Sequence, residues 1–235
     1  MRTKALTGLW MLGCGALLAD EIPEPAAAKD DAWRSAFDRQ RRELRISSPV
    51  DVCWFGDSLT EFWNAEGRQT WTAGFGDRKM VNCGIAADRL EHIRFRIRNT
   101  DFGEAPPKLV VLLGGTNNLA KSPPDSPKVV AKSIALAVQD LKKSAPGAQI
   151  IVLGIPPNGP PPNSALRLSI RETNANLQQL LKEERGVNFV GLYSQFVDDE
   201  DLWLDGLTID GTHFTAAGYA RLAKILSEEF QRRLF

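Results

Sequence analysis

The chain has 235 residues, enough for one domain with a full hydrophobic core. Its 43% apolar and 25% charged content is that of an ordinary globular protein. Twenty-nine Lys and Arg residues balance 29 Asp and Glu residues, so no net charge draws the chain to nucleic acid or to an anionic membrane.

The first predicted element is an export signal. Arg2 and Lys4 precede an uncharged run over residues 5–19. That run falls short of the roughly 20 apolar residues a membrane span needs, and it suits the apolar part of a signal peptide. The expected division is a signal peptide over 1–19, a Pro/Ala-rich linker over 20–30 and a single domain over 31–235, with the mature protein secreted or periplasmic and without a transmembrane span. Leu12-Gly13-Cys14 resembles part of a lipobox, and a lipid anchor through Cys14 is the alternative; Met11 and Leu12 fit that motif imperfectly.

Beyond the linker, an amphipathic helix is predicted over 32–44. Five short apolar runs bounded by Gly, Pro or Asn predict strands over 50–55, 79–82, 108–113, 149–153 and 187–192. Apolar residues at helical spacing lie between and after them. Leu90, Ile93 and Ile97 predict a helix over 88–99, its basic residues between 89 and 98 forming the wet face. Val130, Ile134, Ala137, Val138 and Leu141 predict one over 127–144. Leu168, Ala175, Leu177, Leu180 and Leu181 predict one over 164–184, and Tyr219, Leu222, Ile225, Leu226 and Phe230 one over 215–233. Alternating strands and helices predict an α/β protein: a five-stranded parallel sheet covered on both faces, in a flavodoxin-like three-layer α/β/α order.

In such sheets ligands bind beyond the carboxyl ends of the strands. Ser58 follows the first predicted strand, Ala87 the second and Asn117 the third. A Pro-rich loop over 155–163 follows the fourth, and Asp210 and His213 follow the fifth. Each has a plain structural reading: Ser58 as a helix cap, Asp210-Gly211 as a turn, Gly114-Gly115-Thr116-Asn117-Asn118 as the end of a strand. Their placement on one edge favours chemistry instead. A serine, an imidazole and a carboxylate are the nucleophile, base and orienter of acyl transfer, and a side-chain amide can donate to the oxyanion.

Cys53 and Cys83 fall at predicted strands. They read as buried thiols, with pairing in an oxidising compartment left open. The chain has two histidines and no CxxC, so no metal is expected, and acyl transfer by a serine, an imidazole and a carboxylate requires no organic cofactor.

Four ordered segments carry a resemblance: Gly56-Asp57-Ser58-Leu59, Asn82-Cys83-Gly84-Ile85-Ala86-Ala87-Asp88, Gly115-Thr116-Asn117-Asn118 and Asp210-Gly211-Thr212-His213. Together they resemble the GDSL, or SGNH, hydrolase family over nearly all of the chain from Asp51 onward. Glu91-His92-Ile93-Arg94-Phe95-Arg96-Ile97 and the Pro-rich loop are most similar to the branch of the platelet-activating-factor acetylhydrolase Ib catalytic subunits and their bacterial esterase relatives. The resemblance implies the SGNH hydrolase fold, Ser58 as nucleophile, His213 as base and then acid, and Asp210 as orienter. It implies an oxyanion hole made by the backbone N–H groups of Ser58 and Ala87 and the side-chain amide of Asn117.

Ala87 departs from the pattern, because it stands at the family's glycine position, and Ala86 stands where a small residue, often glycine, is usual. The extra methyl group of Ala87 predicts a pocket for small acyl groups, and a positive φ at that position would strain it. The expected activity is a serine acetylesterase acting on small esters or acetylated carbohydrates outside the cytoplasm. Asn118 and Trp63 are candidate substrate contacts, with Trp63, Trp71 and Trp203 readable as sugar platforms or as packing residues. Alternatives are a phospholipid, lysophospholipid or platelet-activating-factor-type acetylhydrolase, or a non-catalytic carbohydrate-binding protein on the same scaffold. A homodimer is left open.

Overall fold

A computed structural model describes residues 21–27, 30–75, 78–102, 105–159 and 162–234. The signal peptide and Cys14 lie outside the described residues. Helix α1 spans Asp31–Ile46, and the Asp30 carboxylate caps it by accepting from the Trp33 amide at 2.7 Å. The strands are β1 (Val52–Gly56), β2 (Met80–Gly84), β3 (Leu109–Leu113), β4 (Gln149–Leu153) and β5 (Val187–Val190). All pair in parallel in the order β2-β1-β3-β4-β5. The expected α/β class and parallel five-stranded sheet are therefore present.

Short helices follow β1: α2 (Ser58–Glu61), a 3-10 turn (Phe62–Asn64) and α3 (Arg68–Gly74). The others are α4 (Leu90–Arg98), α5 (Thr116–Ala120), α6 (Pro127–Ser144), α7 (Ala165–Leu181) and α8 (Ala216–Leu234), with a further 3-10 turn at Tyr193–Gln195. Helices α6 and α7 start at serine caps, Ser126 and Ser164, and Pro127 occupies the first helical position of α6, where its missing N–H costs nothing.

Successive strand residues face opposite layers. Cys53, Phe55, Val110, Leu112, Ile150 and Val152 pack with α4, α6 and α7. Val52, Trp54, Leu109, Val111, Ile151 and Leu153 pack with Trp63, Phe75 and the α8 residues Tyr219, Leu222, Leu226 and Phe230. Because both faces are covered, the strands read as continuous apolar runs. Cys53 and Cys83 are buried free thiols with their sulfurs 3.7 Å apart.

Two sequence expectations need correction. Arg94 and Arg96 are not on a wet face of α4 but are buried. Arg94 is paired with Asp140 of α6 at 2.9 Å, and Asp140 also holds Arg98 at 2.8 Å. On α7 the buried stripe is Arg167, Ile170, Thr173, Leu177 and Leu181, while Leu168 and Leu180 are exposed. Asn174 sets that rotation by bonding both the N–H and the carbonyl of Ile155, each at 2.8 Å.

Removing one partner of a buried ion pair strands the other charge. Asp140→Ala is expected to lower the unfolding free energy by about 3 kcal/mol in urea titrations. The double replacement Arg94→Met with Asp140→Leu should lose less, since neither charge is then left alone.

Candidate active site

Strand β1 lies between β2 and β3, so the chain leaves it toward β2 and crosses back to β3. The carboxyl end of β1 is thus the switch point where a doubly wound sheet opens a crevice. Asp57 closes β1 and caps α2, its carboxylate accepting from the Leu59 amide at 3.0 Å. Ser58 is the first residue of that helix. Helix α2 sits directly across the ends of β1 and β2, which requires glycine beneath it. A Cβ on Gly56 would lie 2.0 Å from Thr60 Oγ1 and 2.4 Å from the Leu113 carbonyl; one on Gly84 would lie 2.2 Å from the Glu61 nitrogen. Tyr219 of α8 ties the helix down by donating its hydroxyl to the Leu59 carbonyl at 2.8 Å.

His213 stands 155 residues downstream, with Nε2 2.9 Å from Ser58 Oγ. Its Nδ1 is 2.8 Å from Asp210 Oδ2. With the carboxylate ionised, Nδ1 carries the proton and Nε2 is free to accept from the serine hydroxyl. Phe62 lies against the imidazole, ring centroids 5.0 Å apart. The Asp210 side chain is 51% exposed and that of His213 26%. Partial desolvation opposes ionisation of Asp210, but the amides of His213 and Thr212 and the imidazole outweigh it and hold the carboxyl below its ordinary range.

The loop bearing these residues is braced from outside. The Gly211 carbonyl accepts from Trp203 Nε1 at 3.1 Å and from the Gly159 amide at 3.0 Å, and Thr212 Oγ1 donates to Asn158 Oδ1 at 2.6 Å. The Pro-rich loop therefore buttresses the Asp–His loop. Arg167, buried on α7, holds it in place through the Gly159 carbonyl.

Between β2 and α4 the chain makes a tight turn, with the Asp88 amide donating to the Ile85 carbonyl at 3.2 Å. Ala87 occupies its third position with φ 62°, and Ala86 is not left-handed, which is the pattern of a type II turn. Glycine is the usual residue there, so Ala87 carries the strain the sequence made conditional on a positive φ. Four hydrogen bonds hold the turn. The Glu61 carboxylate accepts from the Ala86 amide at 2.6 Å. The Asp88 carboxylate is pinned by Trp33 Nε1 at 2.7 Å and Arg96 Nε at 2.8 Å. The Asp88 carbonyl accepts from the Asn117 side-chain amide at 2.9 Å, leaving the second N–H of that amide uncommitted.

The structure joins Ser58, His213 and Asp210 directly, and links Ala87 and Asn117 to one another through Asp88. It does not support the expected substrate contacts. Asn118 is buried, with Oδ1 accepting from the Leu90 amide and Nδ2 donating to Glu91 and Asp125. Trp63 is 1% exposed, packed on Trp54, Trp71, Phe75 and Tyr219, and offers no face to a sugar. Trp71 belongs to the same cluster, and Trp203 props the Asp–His loop.

Sequence reasoning missed Trp33, Glu61, Phe62 and Arg96. Only Arg96 left a signal: it sits three residues after Ile93, on the apolar stripe of α4. Among the described residues no group of three or more His, Cys, Asp or Glu side chains is placed to hold a metal ion.

A serine bonded to an imidazole and a carboxylate, at the carboxyl edge of a five-stranded parallel sheet, is the arrangement of a serine hydrolase. The family model described as GDSL-like Lipase/Acylhydrolase family matches residues 54–221. Human platelet-activating factor acetylhydrolase IB subunit alpha2 is 30% identical over 203 residues, covering 85% of this chain and 83% of that protein. A GDSL-like lipase from Bacteroides thetaiotaomicron superposes with a TM-score of 0.68 at 20% identity, over 83% of this chain and 97% of the other. An acetylxylan esterase from Geobacillus stearothermophilus superposes with a TM-score of 0.61 at 17% identity, over 80% of this chain and 94% of the other. The chain belongs to the GDSL-like lipase/acylhydrolase family and is an ester hydrolase. Membership in that family sets aside the non-catalytic reading.

Two measurements test the strain and charge described above. Ala87→Gly should relieve about 1–2 kcal/mol of left-handed strain, against about 0.5–1 kcal/mol of added chain freedom on unfolding. Stability should stay level or rise by up to about 1.5 kcal/mol in urea titrations; a clear loss would show that the turn does not burden alanine.

Burial pushes the Asp57 carboxyl from 3.8 to about 7, with the Leu59 amide opposing and Asp88 adding to the rise. The folded state keeps this proton after the unfolded chain has released it. The stability Asp57 contributes is thus complete below about pH 4 and lost as pH rises through about 7. Asp57→Asn should flatten the fall of melting temperature across that interval. Burial raises Asp88 as well, against Arg96 and Trp33, and leaves a residual slope of the same sign.

Proposed function

We propose that Ser58, His213 and Asp210 are a catalytic triad that removes short acyl groups, acetyl above all, from carbohydrate esters outside the cytoplasm. The observation that carries this reading is the bonded series from Ser58 Oγ through His213 to Asp210.

Ser58 Oγ attacks the ester carbonyl carbon as its proton passes to His213 Nε2. The carbonyl oxygen becomes an oxyanion, bound by the backbone N–H groups of Ser58 and Ala87 and the uncommitted N–H of Asn117. The first N–H of α2 adds the favourable polarity of a helix start. Collapse expels the alcohol, which takes the proton from His213 and leaves Ser58 acylated. A water molecule then gives its proton to His213 and attacks the acyl carbon. Collapse returns Ser58, with its proton, and a free carboxylic acid. Asp210 holds the proton on Nδ1 and stabilises the imidazolium in both halves. Phe62 shields one side of the ring.

Acyl size follows from the turn. Ala86 and Ala87 are both exposed, so their methyl groups stand on the open side, where the acyl chain must enter once the Ala87 N–H holds the oxyanion. Carbohydrate as the alcohol is supported by the export signal read from residues 1–19 and by the acetylxylan esterase with the same fold. A second reading, an acetylated phospholipid as substrate, is favoured by the 30% identity to platelet-activating factor acetylhydrolase.

Ser58→Ala should abolish hydrolysis of p-nitrophenyl acetate while leaving the circular dichroism spectrum unchanged; wild-type rates in that variant would disprove the assignment. Across p-nitrophenyl esters, kcat/KM should fall by at least about tenfold from acetyl to octanoyl. Acetate release from acetylated xylo-oligosaccharides but not from an acetylated phospholipid distinguishes the two alcohols.

A further inference from the structure

Helix α1 lies outside residues 54–221, the segment matched by the family model. Yet its inner face is built against the turn that carries Ala87. Trp33 and Phe37 pack on Ile85, the first residue of that turn, and on Phe95 of α4. Trp33 is 5% exposed and spends its indole N–H on Asp88 Oδ1. About two turns of helix after Trp33, Gln40 donates to the Gly84 carbonyl at 2.8 Å and accepts from Arg96 at 3.3 Å. Arg96 in turn donates to the carbonyls of Gly56 and Cys83 and to Asp88 Oδ2.

The polar contacts end on the segments that carry two of the oxyanion donors, residues 56 and 83–88. Gly56 lies two residues before Ser58. Asp88 follows Ala87, and its carbonyl fixes the Asn117 amide. Alanine at φ 62° costs about 1–2 kcal/mol, which contacts from outside the turn offset.

We propose that α1 is part of the catalytic apparatus: Trp33 and Gln40 are positioning residues that, through Asp88 and Arg96, keep the Ala87 turn and the Asn117 amide in register with Ser58. This rests on the oxyanion roles proposed above. A merely structural α1 would contribute to stability and leave turnover per active site unchanged. Disturbing a positioning α1 lowers kcat and spares KM, because the donors act on charge that develops after substrate binds.

The test uses Trp33→Phe, which keeps the ring packing and removes only the N–H. Active sites are counted by end-point labelling with a fluorophosphonate, and kcat for p-nitrophenyl acetate is expressed per labelled site. It is expected to fall about tenfold, with KM within about twofold of wild type. In the Ala87→Gly background the same substitution should cost less than about threefold, since glycine holds the turn without the clamp. An unchanged kcat per site, or an equal loss in both backgrounds, overturns the proposal. If Trp33→Phe does not fold, Gln40→Met is read by the same criteria. Failure of the underlying reading looks different: Ser58→Ala would then remain active, or the fluorophosphonate would not label wild type, whatever Trp33 does.

Discussion

The Arg96 guanidinium organises the Ser58 side of this molecule. A buried cation is tolerated only when its donors are all met, because desolvation costs several kcal/mol that attraction alone does not return. Arg96 is fully buried, and it meets that demand with the carbonyls of Gly56 and Cys83, the carboxylate of Asp88 and the amide oxygen of Gln40. Its face lies over Phe55, 5.8 Å from the ring centre. One side chain thereby joins the ends of β1 and β2, the turn after β2, and helices α1 and α4. The geometry of a planar fork admits little play, so those five pieces share one position.

What this fixes is backbone rather than side chains. Ser58 sits on a four-residue helix that would not persist alone. It is held by Asp57 at its start, Tyr219 from behind and two glycines that let it press onto the sheet. Asn82 adds to this by donating to the Thr60 carbonyl and accepting from the Gly84 amide. Burying Asp57 and Asp88 is electrostatically expensive and pushes both carboxyls upward, with Asp88 adding to the rise at Asp57. Such costs collect where a chain must present N–H groups rather than satisfy them.

The sheet was legible because parallel strands buried on both faces are plain apolar runs, and the boundaries of β4 and α6 were read to the residue. The edge that gathers the motifs was legible from topology alone. Helix faces were harder. Leu168 and Leu180 drew the α7 stripe to the wrong side, because the polar Asn174 and Arg167 take inward positions through hydrogen bonds that hydropathy does not see. The same blindness placed Arg94 and Arg96 in water. Trp63 was ambiguous for a related reason: composition gives an aromatic residue but not its neighbours. Ala87 was the opposite case, where a rule about backbone conformation made a conditional statement and φ supplied the missing half.

The Asp210–His213 segment is attached differently. Its partners are its own amides, Trp203 and the Pro-rich loop, and its carboxylate is half exposed. The proposed catalytic centre is therefore a seam between a half welded into the sheet and a half assembled from surface loops, closed by the Ser58–His213 bond. The two halves are free to diverge at different rates. Insertions and substitutions around Asn158, Gly159 and Trp203 reshape the His213 side of the crevice without disturbing the proposed oxyanion donors. A lineage built on this chain can change the alcohol it releases while the acyl group it accepts stays the same.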